Sequence, residues 1–147
     1  MEINQNKTII SSKENTVKWY IVDAKNQNLG RLSSKIAYIL KNKHSIEYLP
    51  YQQGNTHIII INSKEINVTG KKHEQKTYKR HSGRPGGLKV ETFEKLQNRM
   101  PNKIIEHAIR GMLPKNSLGR SLFKKVKIYT NSIHPHSSQK PVYLNIH

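Results

Sequence analysis

The first half of the chain contains three segments with a clear pattern of apolar and polar positions. Residues 18–22 (KWYIV) are β-branched and aromatic, which predicts a strand, and residues 23–28 supply turn-forming side chains. Across residues 29–41 apolar side chains recur every three to four positions, which predicts an amphipathic helix. Residues 57–62 (HIIIIN) are a short β-branched run, typical of a strand that is buried on both faces. Strand, helix and buried strand together predict a βαβ unit.

The pattern after residue 62 predicts two more strands and three helices. Residues 65–69 (EINVT) alternate between polar and apolar, which predicts a third strand whose direction stays open. Helices are predicted at residues 92–99 and 101–112, and Asn116 can cap a further helix. Residues 126–130 (VKIYT) predict the last strand.

The domain organisation follows from these elements. With 147 residues and no internal repeat, the chain is long enough for one core. We predict a single α/β domain at residues 17–130, preceded by a flexible polar extension at residues 1–16. Residues 131–147 contain two prolines and no regular period, which predicts an extended tail.

Charge restricts the class of partner. The sequence has 26 Lys and Arg against 9 Asp and Glu, a net charge of +17, which implies a polyanionic partner. A membrane is disfavoured because the longest aliphatic run, residues 58–61, is far too short to span one. Cysteine is absent, which excludes disulfides and thiolate metal sites. Nucleic acid and an acidic protein are the polyanions that remain.

Two basic blocks are candidates for phosphate contact. Residues 71–89 hold seven Lys or Arg and one Glu, and they include the glycine-rich loop HSGRPGG at residues 81–87. Glycines there allow the backbone to adopt positive φ and to approach a ligand closely. Residues 111–129 hold five cations and no acid, on a predicted helix whose apolar side chains point inward. The alternative for residues 111–129 is a solvated lysine face, but five unopposed cations and two further basic clusters in the same domain favour phosphate contact.

Enzymatic and metal-binding alternatives have less support. The HSGRPGG loop could bind a nucleotide phosphate, but it lacks the GxxxxGK[ST] spacing and does not follow a clear predicted strand. The acids form no evident catalytic pair, and the eight histidines lack the carboxylates that usually complete a metal site. We therefore expect no metal, no cofactor and no small-molecule substrate. Tyr48, Tyr51 and Tyr78 are candidates for stacking on unpaired bases, whereas Trp19 and Tyr129 are expected in the core.

Residues 18–146 resemble the large-subunit ribosomal protein L13 family. The most distinctive block is GMLPKNSLGRSLFKKVKIY at residues 111–129. Other matching blocks are WYIVDAKNQNLGRLSSKIAYIL at residues 19–40, YLPYQQGNTHIIIIN at 48–62, VTGKKHEQKTYKRHSGRPGGLK at 68–89 and HPHSSQKP at 134–141.

The resemblance implies a three-layer α/β/α domain, with helices on both faces of a mostly parallel four-stranded sheet and with extended basic loops and termini. It implies a non-enzymatic protein that binds large-subunit (23S-type) rRNA, contacts neighbouring ribosomal proteins and supports early subunit assembly. The RNA-facing residues that it implies are Lys71, Lys72, Tyr78, Lys79, Arg80, His81, Arg84, Lys115, Arg120, Lys124 and Lys125. A regulator that binds RNA outside the ribosome, or a small nucleotide-binding enzyme, stays open as an alternative. Abundant Lys, Asn and Ile, 52 residues together, indicate AT-rich codons and favour a plastid ribosome over a bacterial cytoplasm.

Overall fold

A computed structural model describes residues 17–46 and 48–146, and the predicted extension at residues 1–16 lies outside them. The strands are β1 (Lys18–Asp23), β2 (Thr56–Ile61), β3 (Thr77–His81), β4 (Leu88–Thr92), β5 (Val126–Ile128) and β6 (Val142–Tyr143). The α-helices are α1 (Leu29–Leu40), α2 (Lys72–Gln75), α3 (Phe93–Arg99), α4 (Pro101–Met112) and α5 (Ser117–Lys124). Short 3₁₀ turns lie at Ser63–Glu65 and Ser137–Gln139.

The centre of the domain is a four-stranded sheet in the order β5-β2-β1-β6. Every neighbouring pair in it is parallel, and β1 pairs with β2 so that Ile21 lies opposite Ile59. Helix α1 connects β1 to β2, as a parallel pair requires. The α/β class, the βαβ unit and the parallel four-stranded sheet are therefore confirmed.

Strand β2 is buried on both faces, as its run of isoleucines predicted. Successive side chains of a strand point to opposite faces, so the four isoleucines divide into two pairs. Ile58 and Ile60 belong to a large apolar cluster, and Ile59 and Ile61 belong to a smaller one. None of the four is more than 5% exposed. The continuous apolar run exists because each face of this strand has its own cluster to fill.

The large cluster joins the sheet to the helices. It contains Leu32 of α1, Phe93 of α3, Ile105 of α4 and Leu122 of α5, all essentially inaccessible to solvent. The amphipathic pattern of α1 arises because one face of that helix is buried here.

The opposite face of the sheet carries the smaller apolar cluster. The buried residues of its small cluster come from β1 and β2, and Trp19 and Tyr129 pack against them, as expected for core aromatics. The ring of His136, after β5, lies 5.5 Å from that of Trp19, and its Nε2 is 2.7 Å from the Tyr129 hydroxyl oxygen. The segment after β5 therefore packs on this face of the sheet through His136.

The strand predicted at residues 65–69 is wrong. Asn62 adopts the left-handed conformation (φ 55°) and turns the chain into the Ser63–Glu65 3₁₀ turn directly after β2. Beyond it, Asn67 forms one isolated parallel bridge to Asn28. Ile66 and Val68 alternate with polar residues because this loop places both in or against the large cluster.

The fourth strand of the sheet comes instead from the predicted tail. Val142 and Tyr143 of β6 pair with Tyr20 and Ile21 of β1, and the backbone N–H of Leu144 donates to the carbonyl of Ile21 at 2.9 Å. Two exposed residues after a proline carry too little pattern to predict a strand. Part of the tail is therefore an edge strand of this domain.

Candidate nucleic-acid interface

The first basic block folds into an antiparallel hairpin of β3 and β4, preceded by the single turn of α2. The glycine-rich loop is the turn of this hairpin. Gly83 and Gly86 have φ values of 88° and 71°, which confirms the expected need for positive φ. The imidazole Nδ1 of His81 accepts a hydrogen bond from the N–H of Gly83 at 2.9 Å, which fixes the turn.

This hairpin corrects one argument made from the sequence. The HSGRPGG loop does follow a strand, β3, which was missed because its residues are polar and mostly exposed on both faces. A strand and not a helix follows the loop, however, so the strand–loop–helix geometry of a nucleotide phosphate loop is absent here.

Most of the predicted RNA-facing residues of this block are exposed. Lys71 lies directly before α2 and Lys72 begins it, and Arg84 lies in the hairpin turn. Strand β3 presents the side chains of Lys79, Arg80 and His81 to solvent, together with that of Thr77.

Tyr78 is the exception, because its side chain is half-buried. Its ring centroid lies 5.5 Å from that of His107 and 6.5 Å from that of Phe93. Burial raises the pKa of the Tyr78 phenol above its ordinary value, so the group stays neutral near pH 7. The ring is therefore a fixed, uncharged surface between the hairpin and α4.

The second basic block is positioned by helix α5. The side-chain oxygen of Asn116 accepts a hydrogen bond from the N–H of Gly119 at 2.9 Å, which confirms the predicted cap. Leu122 is buried, so Arg120 and Lys124 lie on the exposed side of the helix. Lys115, just before the helix, is also exposed.

Lys125 points inward, unlike its neighbour Lys124. Its ammonium Nζ donates to the carbonyl oxygen of Gly54 at 2.6 Å and lies 3.4 Å from Oδ1 of Asn55. Burial lowers the pKa of this ammonium below its ordinary value. Lys125 therefore ties the end of α5 to the loop before β2, a role that a Lys-Lys pair does not reveal in sequence.

A groove of about 990 Å³, which we call the α4 groove, lies between the hairpin and α4. It brings together four of the predicted residues, namely Tyr78, Lys79, Arg80 and Lys115. It adds cations that sequence reasoning missed: Lys89, Arg99, Lys103 and Arg110. The available signal was the spacing of four and three between Lys103, His107 and Arg110, which places them on one side of α4. The other predicted residues lie outside this groove.

Among the described residues, carboxylates do not neutralise the predicted surface. The ion pairs between described residues are Lys25–Glu65, Arg99–Glu91 and Lys103–Glu106, at 3.4, 2.6 and 3.1 Å. None of these pairs involves a predicted RNA-facing residue. The exposed cations of the hairpin and α5 are therefore available to an external anion.

In the described part of the chain, no group of three or more His, Asp or Glu is placed to hold a metal ion. No helix in residues 17–46 or 48–146 combines the length and the apolar character needed to cross a bilayer.

Comparison with known proteins identifies the family. The sequence model described as "Ribosomal protein L13" matches residues 17–135. The large ribosomal subunit protein uL13c of Gracilaria tenuistipitata var. liui is 60% identical over 136 residues, covering 92% of this chain and 95% of that protein. The uL13 protein of Nostoc sp. is 54% identical over 142 residues, covering 96% and 94%. The uL13c protein of Porphyra purpurea is 54% identical over 136 residues, covering 92% and 96%. The chain therefore belongs to the ribosomal protein L13 family and is a structural ribosomal protein, not an enzyme.

Proposed function

We propose that this chain acts in the large ribosomal subunit by binding large-subunit rRNA and supporting early subunit assembly. The observation that carries the proposal is the set of exposed cations on the hairpin and on α5, none of which has a carboxylate partner among the described residues. Both elements are attached to the core, since Phe93 follows β4 and Leu122 belongs to α5. Cations on rigid elements lose little freedom when phosphates bind.

The proposed RNA-facing set contains the same residues as the set given in the sequence analysis. The structure suggests different roles for two of them, Tyr78 and Lys125. Lys71, Lys72, Lys79, Arg80, Arg84, Lys115, Arg120 and Lys124 contact phosphates, and His81 lies among them. Tyr78 offers a ring, and Lys125 supports the surface by holding α5 in place.

The test is incorporation into particles. Arg120→Glu with Lys124→Glu reverses two exposed charges of α5 and leaves Lys125 intact. Lys35→Glu with Lys95→Glu is the matched control, because both lysines are exposed, lie on helices and fall outside the proposed set. We expect the α5 variant to be soluble but largely absent from the large-subunit peak of a sucrose gradient, and the control to be incorporated. Equal incorporation of the two variants would contradict the proposed surface.

We further infer that the ribosome is that of a plastid. The AT-rich residue usage and the 60% identity to the Gracilaria uL13c protein support this inference, although bacterial uL13 proteins are nearly as similar. Locating the gene decides the matter. A gene on a plastid genome is the expected result, and a gene on a bacterial chromosome would refute the inference.

A further inference from the structure

The α4 groove carries a surplus of positive charge. Its lining includes two carboxylates, and both are held by cations of the groove itself. Glu91 receives two hydrogen bonds from Nη2 of Arg99, at 2.7 and 2.6 Å, and Glu106 pairs with Lys103 at 3.1 Å. The cations that remain are Lys79, Arg80, Lys89, Arg110 and Lys115.

Two of these cations face each other across the hairpin. Arg80 and Lys89 are direct partners in the antiparallel register of β3 and β4, and both line the groove. Like charges directly opposite each other destabilise a strand pair. An anion bound between the two side chains offsets that repulsion, so their pairing favours an anionic occupant.

The groove also has an uncharged aromatic and apolar part. The rings of Tyr78 and His107 meet edge to face, with centroids 5.5 Å apart and planes at 62°. Met100, 38% exposed, and Leu96 line the groove as well. The guanidinium of Arg110 lies 4.9 Å from the ring centroid of Phe123, a contact that helps to hold this cation in place. Rings and cations in one groove are the combination that binds bases and phosphates together.

We propose that the α4 groove binds a single-stranded segment of RNA, with a base against Tyr78 and His107 and with phosphates at Arg80 and Lys89. The proposal deepens the proposed rRNA-binding function and rests on it. A groove of about 990 Å³ lies at the upper end of the roughly 300–1,000 Å³ of small-molecule sites, so it is large enough for unpaired nucleotides. Helix α5 presents Arg120 and Lys124 outside the groove.

The experiment compares two RNA probes and two matched variants of the full chain. The probes are a fluorescent single-stranded RNA of about eight nucleotides and a duplex of about 16 base pairs. The groove variant is Arg80→Gln with Lys89→Gln, and the α5 variant, Arg120→Gln with Lys124→Gln, removes the same charge elsewhere. We expect the groove variant to lose at least about tenfold in single-strand affinity, with a salt slope smaller by about 1.4. The α5 variant should lose less single-strand affinity than the groove variant, because Arg120 and Lys124 lie outside the groove.

The stacking role has its own pair of variants. Tyr78→Leu should lower single-strand affinity roughly fivefold or more, because it removes the ring, whereas Tyr78→Phe should bind nearly as well as the native chain. Thermal unfolding of each variant verifies that the hairpin is folded. If Tyr78→Leu and Tyr78→Phe bind the single strand equally, the stacking assignment is wrong.

Three outcomes would overturn the groove proposal, and they differ in what else they affect. Equal losses of single-strand affinity in the groove and α5 variants would remove the groove as a distinct site but leave the rRNA-binding function standing. Absence of RNA binding by the native chain would overturn both. Tight binding of a glutamate-rich peptide that only the groove variant loses, with single-strand affinity unchanged, would assign the groove to an acidic protein segment.

Discussion

Replacement of Gly119 by alanine tests how helix α5 is held in place. A Cβ atom at this position would lie 2.8 Å from the carbonyl carbon of Pro114 and closer still to the carbonyl oxygen. Backbone atoms cannot move aside as a flexible side chain can, so α5 must shift. Such overpacking costs about 1–3 kcal/mol, while the better helix propensity of alanine returns at most about 1 kcal/mol. Because the contact is severe, we expect a net loss of about 2 kcal/mol.

The assay is urea unfolding followed by circular dichroism, with Gly30→Ala as the matched control. Gly30 also lies in a helix, α1, but an added Cβ there meets nothing within 4 Å. The control should gain up to about 1 kcal/mol from propensity alone. In thermal unfolding, the expected loss of stability in Gly119→Ala corresponds to a fall in melting temperature of about 4–8 °C. A Gly119→Ala chain as stable as the native one would refute the argument that α5 is fixed by its close approach to Pro114.

Two further predictions concern the partly buried side chains of Lys125 and His57. Lys125→Met should lower the free energy of unfolding by about 1–2 kcal/mol in the same urea assay, because the Gly54 carbonyl loses a charged donor. An unchanged free energy of unfolding would contradict the inward role of Lys125. His57 gives a pH dependence: burial first, and then Lys125 and Lys127, lower its pKa in the folded chain below the ordinary 6.5. The unfolded chain therefore takes up this proton first as the pH falls, so stability present above pH 6.5 is lost below it. His57→Gln should lose less stability than the native chain between about pH 7.5 and 5.5, and parallel pH profiles would count against this assignment.

The sequence pattern predicted the elements that bury a regular face. Helices α1 and α4 and strand β2 were found because the apolar period of each matches its burial in the two clusters. The pattern at residues 65–69 misled because a loop that places Ile66 and Val68 in or against the core alternates in the same way as a strand. Burial alone does not distinguish such a loop from a strand. Backbone pairing does, and residues 65–69 form a single bridge.

The site was predicted in part, and the misses have a physical cause. Strands β3 and β4 are mostly exposed, so no apolar period marks them, and the α4 groove that they form could not be anticipated. In the sequence, Lys103 and Arg110 resemble the solvent-exposed residues of any surface helix. Only the structure shows that they line a groove together with residues of the hairpin. Lys124 and Lys125 are adjacent residues of the same type, so the sequence does not show which of them points inward. The structure does, because the ammonium of Lys125 donates to the Gly54 carbonyl.

The salt dependence of binding to large-subunit rRNA tests most directly whether the exposed cations bind phosphates. Each phosphate contact contributes about 0.7–0.9 to the slope of log affinity against log salt, so roughly six to eight contacts predict a slope between about −4 and −7. Affinity should then fall by a factor between about 250 and about 16,000 between 50 and 200 mM salt. The Arg120→Glu, Lys124→Glu chain should show a shallower slope than the native protein. An affinity for this rRNA that is insensitive to salt, or equal slopes for the two chains, would contradict the account.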